Sequence, residues 1–258
     1  MLNYPNPNLL TSEEINSEIN VSILTASLNE SGNIKVWLVD ILSVYQKFNL
    51  KMIKEIVIVD DGSTDGTIEQ IEDMIKIYPI PIHLLKRNNK MGTLNAQIIG
   101  SKHCSCEYII VMDCDMQHPP SFIPNFIAEI KGDLDIIVGS RYIKGGQNNW
   151  PAYRGVVSRS ATFLAHMLIG NTRKLTDPLS GFFIIRRELL SKLKPYKGMY
   201  KPLLYAVSMR QNTRMLEIPI KMDSRESGQS KIVTNPVKVI IRYIRELLIF
   251  FRDKHTGN

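Results

Sequence analysis

Short apolar runs that alternate with helical patterns are the feature that most limits the fold of this chain. The runs have the length of strands, and they lie at residues 21–25 (VSILT), 56–60 (IVIVD), 82–85 (IHLL), 108–113 (YIIVMD) and 135–140 (DIIVGS). A helix between two such strands returns the chain so that the second strand runs parallel to the first. The alternation therefore predicts an α/β fold, in which helices cover both faces of a mainly parallel central sheet.

The helical patterns between these runs support that architecture. In the first pattern, apolar residues recur at the i, i+3, i+4, i+7 spacing of a helix with one buried stripe. They are Ile34, Trp37, Leu38, Ile41, Leu42 and Tyr45. A second amphipathic helix is predicted after Asp65, because aspartate caps helix N-termini. A third is predicted from about Tyr153 to Ile169.

The chain carries more basic than acidic residues. It has 32 Lys and Arg against 25 Asp and Glu among 258 residues, a formal net charge of +7. This balance favours an anionic partner such as a phosphorylated substrate or an acidic lipid. Nucleic acid is disfavoured, because the basic residues are scattered and no recognition motif is present. Cys104, Cys106 and Cys114 lack C-x-x-C spacing and fit reduced cytosolic thiols.

Three regions are predicted along the chain. Residues 1–18 have neither the basic start nor the apolar core of a signal peptide, and we expect a flexible lead-in there. Residues 19–232 form one globular domain, and residues 233–258 form an amphipathic basic helix and tail. That helix suits either packing on the domain or lying on an anionic bilayer. No apolar run reaches the length of about 18 residues that a transmembrane helix needs.

Polar segments follow the first, second and fourth predicted strands. Open parallel sheets bind ligands in the crevice beyond the carboxyl ends of their strands. In the second segment, DDGSTDGT, the glycines permit the turn, and Asp60 and Asp61 are more than the turn requires. Their carboxylates could accept hydrogen bonds from a base and a ribose, although the segment also fits a purely structural turn.

The fourth strand leads into two aspartates one residue apart. Asp113 and Asp115 occupy alternate positions of an extended segment, so both carboxylates are expected on one side. At a separation of about 5 Å, two carboxylates repel each other by roughly 3 kcal/mol. A hard cation such as Mg²⁺ or Mn²⁺ would offset this repulsion and take further oxygens from Gln117 and substrate phosphates. A solvated acidic turn is the alternative, and His118 either shapes the turn or ligates.

Taken in order and spacing, these motifs resemble the family 2 glycosyltransferases of the GT-A fold. The resemblance is carried by TASLNE, VDDGSTDGT, DCDMQHPP, GSRY and DPLSGFF, and it covers about residues 20–232. Within the family, the chain looks most like the polyprenyl-phosphate hexose synthases of the dolichol-phosphate mannose synthase type, whose motif is D-A-D-x-Q-H-P-P. The resemblance implies a Rossmann-like nucleotide-diphospho-sugar transferase domain over residues 19–232.

This resemblance also implies roles for particular residues on the donor side. The cation that bridges the diphosphate of a nucleotide-sugar would be held by Asp113, Asp115 and Gln117. The residues implied in donor binding are Thr25, Ser27, Asn29, Glu30, Asp60, Asp61, Asp113 and Lys231, and the implied catalytic residues are Asp115, Arg141 and Arg225. The chain departs from the family pattern at TASLNE, where the family has P-x-x-N-E, and at NNKMGTLNAQ, which has fewer glycines.

On the acceptor side, the resemblance implies that Arg141, Arg154 and Ser158 grip a lipid phosphate. Arg154 and Ser158 are four residues apart and share one helix face, although Arg154 also fits an ordinary surface cation. A hydroxyl acceptor needs a base, whereas a phosphate monoester is already ionised at neutral pH. Asp177 is the acid in NTRKLTDPLSGFF, and it fits either a base or a turn residue before Pro178. A phosphate acceptor is therefore favoured.

The leading hypothesis is an inverting, metal-dependent hexosyltransferase that moves mannose from GDP-mannose onto a polyprenyl or dolichyl phosphate. We expect such an enzyme at the cytoplasmic face of a membrane as a peripheral protein, and a membrane-embedded partner subunit is compatible with it. The alternatives are a family 2 enzyme that uses a saccharide hydroxyl in surface polysaccharide or glycan assembly, and a non-catalytic subunit that binds a nucleotide-sugar.

Overall fold

The structure, a computed structural model, describes residues 19–88, 90–148, 152–196, 201–210, 212–222, 241 and 244–252. At residues 148, 152–154, 156 and 157 it describes the backbone alone. The strands are β1 (Val21–Ser27), β2 (Ile53–Asp60), β3 (Ile82–Lys86), β4 (Tyr108–Val111), β5 (Ile136–Ser140), β6 (Gln147–Asn148), β7 (Phe183–Arg186), β8 (Met215–Pro219) and β9 (Lys221–Met222). The α-helices are α1 (Ile34–Lys47), α2 (Thr67–Ile77), α3 (Thr93–His103), α4 (Ile123–Ala128), α5 (Ala152–Leu168), α6 (Arg187–Ser191) and α7 (Pro202–Ser208).

Seven strands form one sheet in the order β3-β2-β1-β4-β7-β5-β8. β7 runs antiparallel to both of its neighbours, β4 and β5, and the other pairs are parallel. The predicted α/β fold with a mainly parallel sheet is confirmed, and each of the five predicted strands is present. β7 and β8 were not predicted from the sequence. β6 and β9 pair as a separate two-stranded ribbon.

The two faces of the sheet bury two separate apolar clusters. Along β1, Ile23 belongs to one cluster and Leu24 to the other, as expected for side chains that alternate across a strand. The first cluster packs α1 and α2 on the sheet through residues such as Trp37, and the second packs α3 and α7 through residues such as Leu204. Because β1, β2 and β4 run parallel, their carboxyl ends lie at one edge of the sheet, and the polar loops that follow them lie there too.

The C-terminal helix is described at residues 241 and 244–252, and its predicted start at Asn235 lies outside the described residues. Leu247 and Phe250 are buried, and the Phe250 ring stands edge-on to Tyr196 and Tyr205 with centroids 5.6 Å apart in each case. This face therefore packs on the domain. Leu248 lies on another face and is 51% exposed. Packing on the domain thus involves the face with Leu247 and Phe250, whereas the predicted contact with a bilayer would involve the face with Leu248.

None of the described helices is long and apolar enough to cross a bilayer. The predicted lead-in, residues 1–18, lies outside the described residues, so its flexibility stays a prediction.

Candidate active site

Polar loops meet where β1, β2 and β4 end, at the carboxyl edge of the sheet. β1 and β2 are in register, so that Ser27 lies beside Asp60 at their last residues. β4 pairs with β1 from Val21 to Leu24, which brings the segment after Val111 to the same edge. This is the crevice in which open parallel sheets bind ligands. The predicted motifs are therefore brought together by the topology.

Asp60 holds this edge together from inside. It is fully buried, and Oδ1 accepts hydrogen bonds from the backbone N–H groups of Gly62 and Ser63, at 3.1 and 2.7 Å. Oδ2 accepts hydrogen bonds from the hydroxyls of Ser27 and Ser63, at 2.8 and 2.6 Å. Four donors fill the acceptor positions of one carboxylate. Asp60 therefore shapes the loop after β2, and its predicted contact with a nucleoside stays a prediction.

Asp61 has a similar structural role. It is 5% exposed, and its carboxylate accepts hydrogen bonds from the N–H groups of Met91 and Gly92, the shortest of them 2.8 Å. The guanidinium of Arg87 lies 3.2 Å from Oδ1. Asp61 thus ties the segment before α3 to the end of β2. Its predicted contact with a nucleoside stays a prediction, and Arg87 is a neighbour that the sequence analysis missed.

The loop after β1 is joined to the loop after β2. Oδ1 of Asn29 accepts a hydrogen bond from the backbone N–H of Thr64 at 2.9 Å, and the N–H of Glu30 donates to the Thr67 hydroxyl at 2.9 Å. Asn29 has a φ of 52°, a left-handed conformation that asparagine tolerates better than most residues. Thr25 is fully buried in β1. These predicted donor-binding residues therefore lie at the carboxyl edge of the sheet, where Asn29 and Glu30 bond the loop after β2.

The D-x-D segment differs from its predicted geometry. β4 ends at Val111, so Asp113 and Asp115 lie in a turn and not in an extended strand. Met116 has a φ of 65°, and Oδ1 of Asp115 accepts a hydrogen bond from the N–H of Gln117 at 3.1 Å. The Asp113 side chain is 43% exposed, whereas Asp115 is buried. The two aspartates therefore differ in environment, and Asp113 presents the more open carboxylate.

The donor set of this turn fits a hard divalent cation. Two carboxylates and the amide of the half-buried Gln117 lie within five consecutive residues. Among the described residues, no three His, Cys, Asp or Glu side chains group into a metal site by themselves. Mg²⁺ and Mn²⁺ are often held by one or two protein carboxylates, and substrate phosphates and water complete the shell. Asp113, Asp115 and Gln117 would hold such an ion together with a diphosphate.

His118 shapes this turn and is not placed as a ligand through Nδ1. It is 1% exposed, and Nδ1 accepts a hydrogen bond from the backbone N–H of Asp113 at 2.9 Å. Burial lowers the pKa of His118, and the opposing charges of Asp113 and Asp115 do not offset it. The imidazole is therefore neutral, which the acceptor role of Nδ1 requires.

Arg141 and Asp177 form a buried ion pair on the other side of the crevice. Nε and NH2 of Arg141 donate to the two carboxylate oxygens of Asp177 at 2.7 and 2.6 Å, and the Arg141 backbone N–H adds a bond of 3.1 Å. Asp177 is fully buried and Arg141 is 6% exposed. Burial lowers the pKa of Arg141, but the hydrogen bonds and charge of Asp177 outweigh it, so the pKa is raised.

A second carboxylate supports this pair from behind. Glu217 of β8 accepts hydrogen bonds from the backbone N–H groups of Thr176 and Asp177, at 2.8 and 3.0 Å. The Thr176 hydroxyl bonds both Glu217 and the Ser140 hydroxyl, at 2.9 and 2.8 Å. Asp177 is therefore not an exposed base; it begins the turn at Pro178, where its carbonyl accepts the N–H of Ser180 at 3.2 Å. It orients Arg141.

The predicted acceptor residues on α5 are placed only in part. Ser158 is half-buried on α5, whereas the side chain of Arg154 lies outside the described residues, as do Arg225 and Lys231. The Tyr142 ring lies under two guanidinium groups, those of Arg141 at 5.1 Å and Arg159 at 5.6 Å. This shared ring brings α5 close to Arg141.

Lys201 is a further charged residue that the sequence analysis missed. It is half-buried and precedes α7, and its carbonyl accepts the N–H of Tyr205. Burial lowers the pKa of Lys201, and the nearby charge of Arg141 lowers it further. The carboxylates of Asp113, Asp115 and Asp177 oppose this decrease. Lys201 thus interacts with charges of both the acidic turn and the Arg141–Asp177 pair. The sequence signal was a single lysine before the buried run PLLYAV.

Comparison with known proteins decides the family. The family model described as glycosyl transferase family 2 matches residues 22–194, which include the loops at the carboxyl edge and the Arg141–Asp177 pair. The chain belongs to glycosyl transferase family 2. Among curated family relatives, the dolichol-phosphate mannosyltransferase of Pyrococcus furiosus is 33% identical over 229 residues, and that of Saccharomyces cerevisiae is 29% identical over 214 residues. The first alignment covers 88% of this chain and the second 79%.

This glycosyltransferase chain spans 63% of the length of the Pyrococcus relative and 77% of the yeast relative. Solved structures share its fold. Glucosyl-3-phosphoglycerate synthase from Mycobacterium tuberculosis, in complex with Mn²⁺ and UDP, has a TM-score of 0.69 at 17% identity and covers 97% of this chain and 85% of its own. A mannosyltransferase from Pyrobaculum calidifontis, in complex with GDP-Man and Mn²⁺, has a TM-score of 0.61 at 15% identity, covering 98% and 66%. The predicted GT-A fold is confirmed.

The Arg141–Asp177 pair gives a stability prediction. Replacing Asp177 with alanine leaves a buried guanidinium unpaired, so we expect a loss of about 3–5 kcal/mol in the free energy of unfolding. Asp133 is a matched control, because its ion pair with Arg214 has the same 2.6 Å distance but is 69% exposed on the Asp133 side. Asp133→Ala should cost at most about 1 kcal/mol. Urea denaturation measures the free energy of unfolding of both variants, and equal losses would contradict a larger contribution from the buried pair.

Proposed function

We propose that this glycosyltransferase moves mannose from GDP-mannose onto a polyprenyl phosphate such as dolichyl phosphate, with inversion at the anomeric carbon. The names of its curated relatives support the donor sugar and the acceptor class. The observation that carries the proposal is that both carboxylate oxygens of Asp177 already accept hydrogen bonds. Its two oxygens bind Arg141, which leaves Arg141 as an oriented cation and removes the acid that a hydroxyl acceptor would use as a base.

The acceptor argument rests on protonation. A hydroxyl must lose a proton as it attacks, and a positioned base must take that proton. A phosphate monoester has a second pKa near 6 and is largely dianionic at neutral pH, so its oxygen attacks without a base. Asp177 is buried and paired, which leaves it poorly suited to receive a proton from substrate. A saccharide hydroxyl acceptor therefore fits the site less well than a phosphate.

Arg141 and α5 are suited to the acceptor phosphate. Asp177 binds Nε and Nη2 of Arg141 and so fixes the plane of the guanidinium, whose positive charge and remaining N–H groups would attract a phosphate oxygen. Ser158, and by prediction Arg154, would add donors from α5, which the Tyr142 ring brings near. The crevice thus offers an anion site on the opposite side from the acidic turn.

The donor would bind over the acidic turn. Asp113, Asp115 and Gln117 would hold Mg²⁺ or Mn²⁺, which, when bound, supplies positive charge to the departing nucleoside diphosphate. The loops that Asp60 and Asp61 organise would receive the nucleoside. Arg225 and Lys231 stay predictions for the diphosphate, since they lie outside the described residues.

The exposed surface supports an encounter with a lipid acceptor at the cytoplasmic face of a membrane. Phe163 and Met167 are one turn apart on α5 and are 65% and 58% exposed. Arg159, one turn earlier, is also exposed. Apolar side chains beside a cation suit the interface of an anionic bilayer. Because α5 also carries Ser158, this surface would place the acceptor site at the membrane. A membrane-embedded partner is compatible with it.

The transfer reaction is tested directly with labelled GDP-mannose, Mn²⁺ and polyprenyl phosphate. We expect a lipid-linked mannose product. We expect Asp115→Asn to reduce the rate of mannose transfer on the order of 100-fold or more, because the cation would lose a negatively charged ligand oxygen. Asp73→Asn serves as a control, since Asp73 is an exposed residue of α2 paired with Lys76. No lipid-linked sugar from GDP-mannose or other nucleotide-sugars, with the wild-type chain folded, would reject the proposal.

Membrane contact is tested by sedimentation with vesicles of phosphatidylcholine, with or without phosphatidylserine. We expect binding to the anionic vesicles, and we expect Phe163→Ser with Met167→Ser to weaken it about tenfold or more, because each buried apolar side chain contributes about 1.5–3 kcal/mol. Ile77→Ser is the matched control, since Ile77 on α2 is 76% exposed. Equal weakening by the control would contradict a specific role of α5.

A further inference from the structure

Gly181 lies against the acidic turn, just before β7. A Cβ atom at this position would lie 2.9 Å from Cε1 of His118 and 3.2 Å from Oδ2 of Asp113. Gly181 is not among the described glycines with positive φ, so its backbone conformation is open to any residue. The reason for glycine here is therefore space, and the atoms that occupy this space belong to His118 and Asp113.

The segment that carries Gly181 cannot easily move away. The Ser180 hydroxyl donates to the carbonyl of Gly139 in β5 at 2.7 Å, and the Gly139 N–H donates to the carbonyl of Phe182 at 2.9 Å. Phe182 is fully buried, with its ring centroid 4.5 Å from that of Phe126. A side chain added at position 181 would therefore displace the acidic turn and not this segment.

His118 in turn connects Gly181 with Asp113. Its ring packs on Phe182 at 5.4 Å between centroids, and Nδ1 accepts the backbone N–H of Asp113 at 2.9 Å. Nδ1 also lies 3.7 Å from Oδ2 of Asp113. The imidazole is thus held on one side by the Gly181–Phe182 segment, and on the other it fixes the backbone of Asp113.

We propose that Gly181 and His118 are positioning residues for the cation site. The missing side chain at position 181 leaves room for the His118 ring, and the ring, by accepting the Asp113 N–H, holds the backbone from which the Asp113 carboxylate would reach the cation. The same short segment begins at Asp177, which orients Arg141, so one stretch of chain sets the spacing between the cation side and the acceptor side. This inference rests on the cation site of the proposed function.

The test is a titration of the full chain with Mn²⁺ in the presence of GDP, in which the electron paramagnetic resonance signal reports free Mn²⁺. We expect Gly181→Ala to weaken Mn²⁺ binding about 10–100-fold, the usual effect of disturbing the support of a metal ligand. Gly170→Ala is the matched control, because a Cβ at position 170 meets nothing within 4 Å, and its affinity should equal that of the wild type.

A second pair of variants tests the hydrogen bond separately from packing. His118→Asn keeps an oxygen that can accept the Asp113 N–H, whereas His118→Leu removes the acceptor. We expect Asn to retain Mn²⁺ affinity near that of the wild type and Leu to lose about tenfold or more. Melting temperatures of all variants are recorded, and should Gly181→Ala unfold, this pair carries the test. Equal affinity of the Asn and Leu variants overturns the role of His118.

The outcomes separate this inference from the proposed function. Wild-type chain that takes up no Mn²⁺ with GDP would refute the cation site itself, and the inference with it. Wild-type chain that binds Mn²⁺, together with a Gly181→Ala variant that binds equally well, would overturn the inference alone and leave the proposed function standing.

Discussion

The buried ion pair between Arg141 and Asp177 is the interaction on which the rest of the site depends. It joins the end of β5 to the segment that leads into β7, two elements separated by 36 residues in sequence. Removing one partner would leave an unpaired charge in the interior, whereas in the complete pair Arg141 donates to both carboxylate oxygens of Asp177. Because the pair uses Asp177 fully, the acceptor side offers a fixed cation and not a base.

The acidic residues of the crevice divide into two groups by their surroundings. Asp60 and Asp61 are saturated by internal donors, and they build the loops after β2 and before α3. Asp113 has the more exposed carboxylate, and its backbone N–H donates a hydrogen bond to His118. Structural carboxylates that are held by internal donors suit a preorganised site, because such supporting groups need not reorganise when a ligand binds.

The sequence predicted the parts of the fold that depend on local patterns. The five apolar runs and the stripe of α1 follow directly from strand length and helical spacing. β7 and β8 were not predicted. β7 has only four residues and runs antiparallel to its neighbours, and β8 is half-buried at the sheet edge. Their assignment depends on pairing with β4 and β5, which is a non-local contact that periodicity does not report.

The candidate site shows the same division. The motifs located the carboxyl edge and the acidic turn, because chain order and sheet topology bring strand ends together. The ion-pair partners could not be predicted from the sequence, because Arg141 and Asp177 are far apart along the chain. Lys201 was also missed, because it lies in a segment without a motif. The strand length at β4 was also overestimated, since the apolar residue Met112 extends the run past the last paired residue.

The central claim, that the nucleophile is a phosphate which needs no base, is tested most directly by acceptor competition. Enzyme loaded with GDP-mannose and Mn²⁺ is offered polyprenyl phosphate and the polyprenol of the same chain length together, and the products are separated by their charge. The account predicts mannose on the phosphate alone, because the polyprenol hydroxyl finds no base beside Arg141. Mannosyl polyprenol formed at a comparable rate would contradict it.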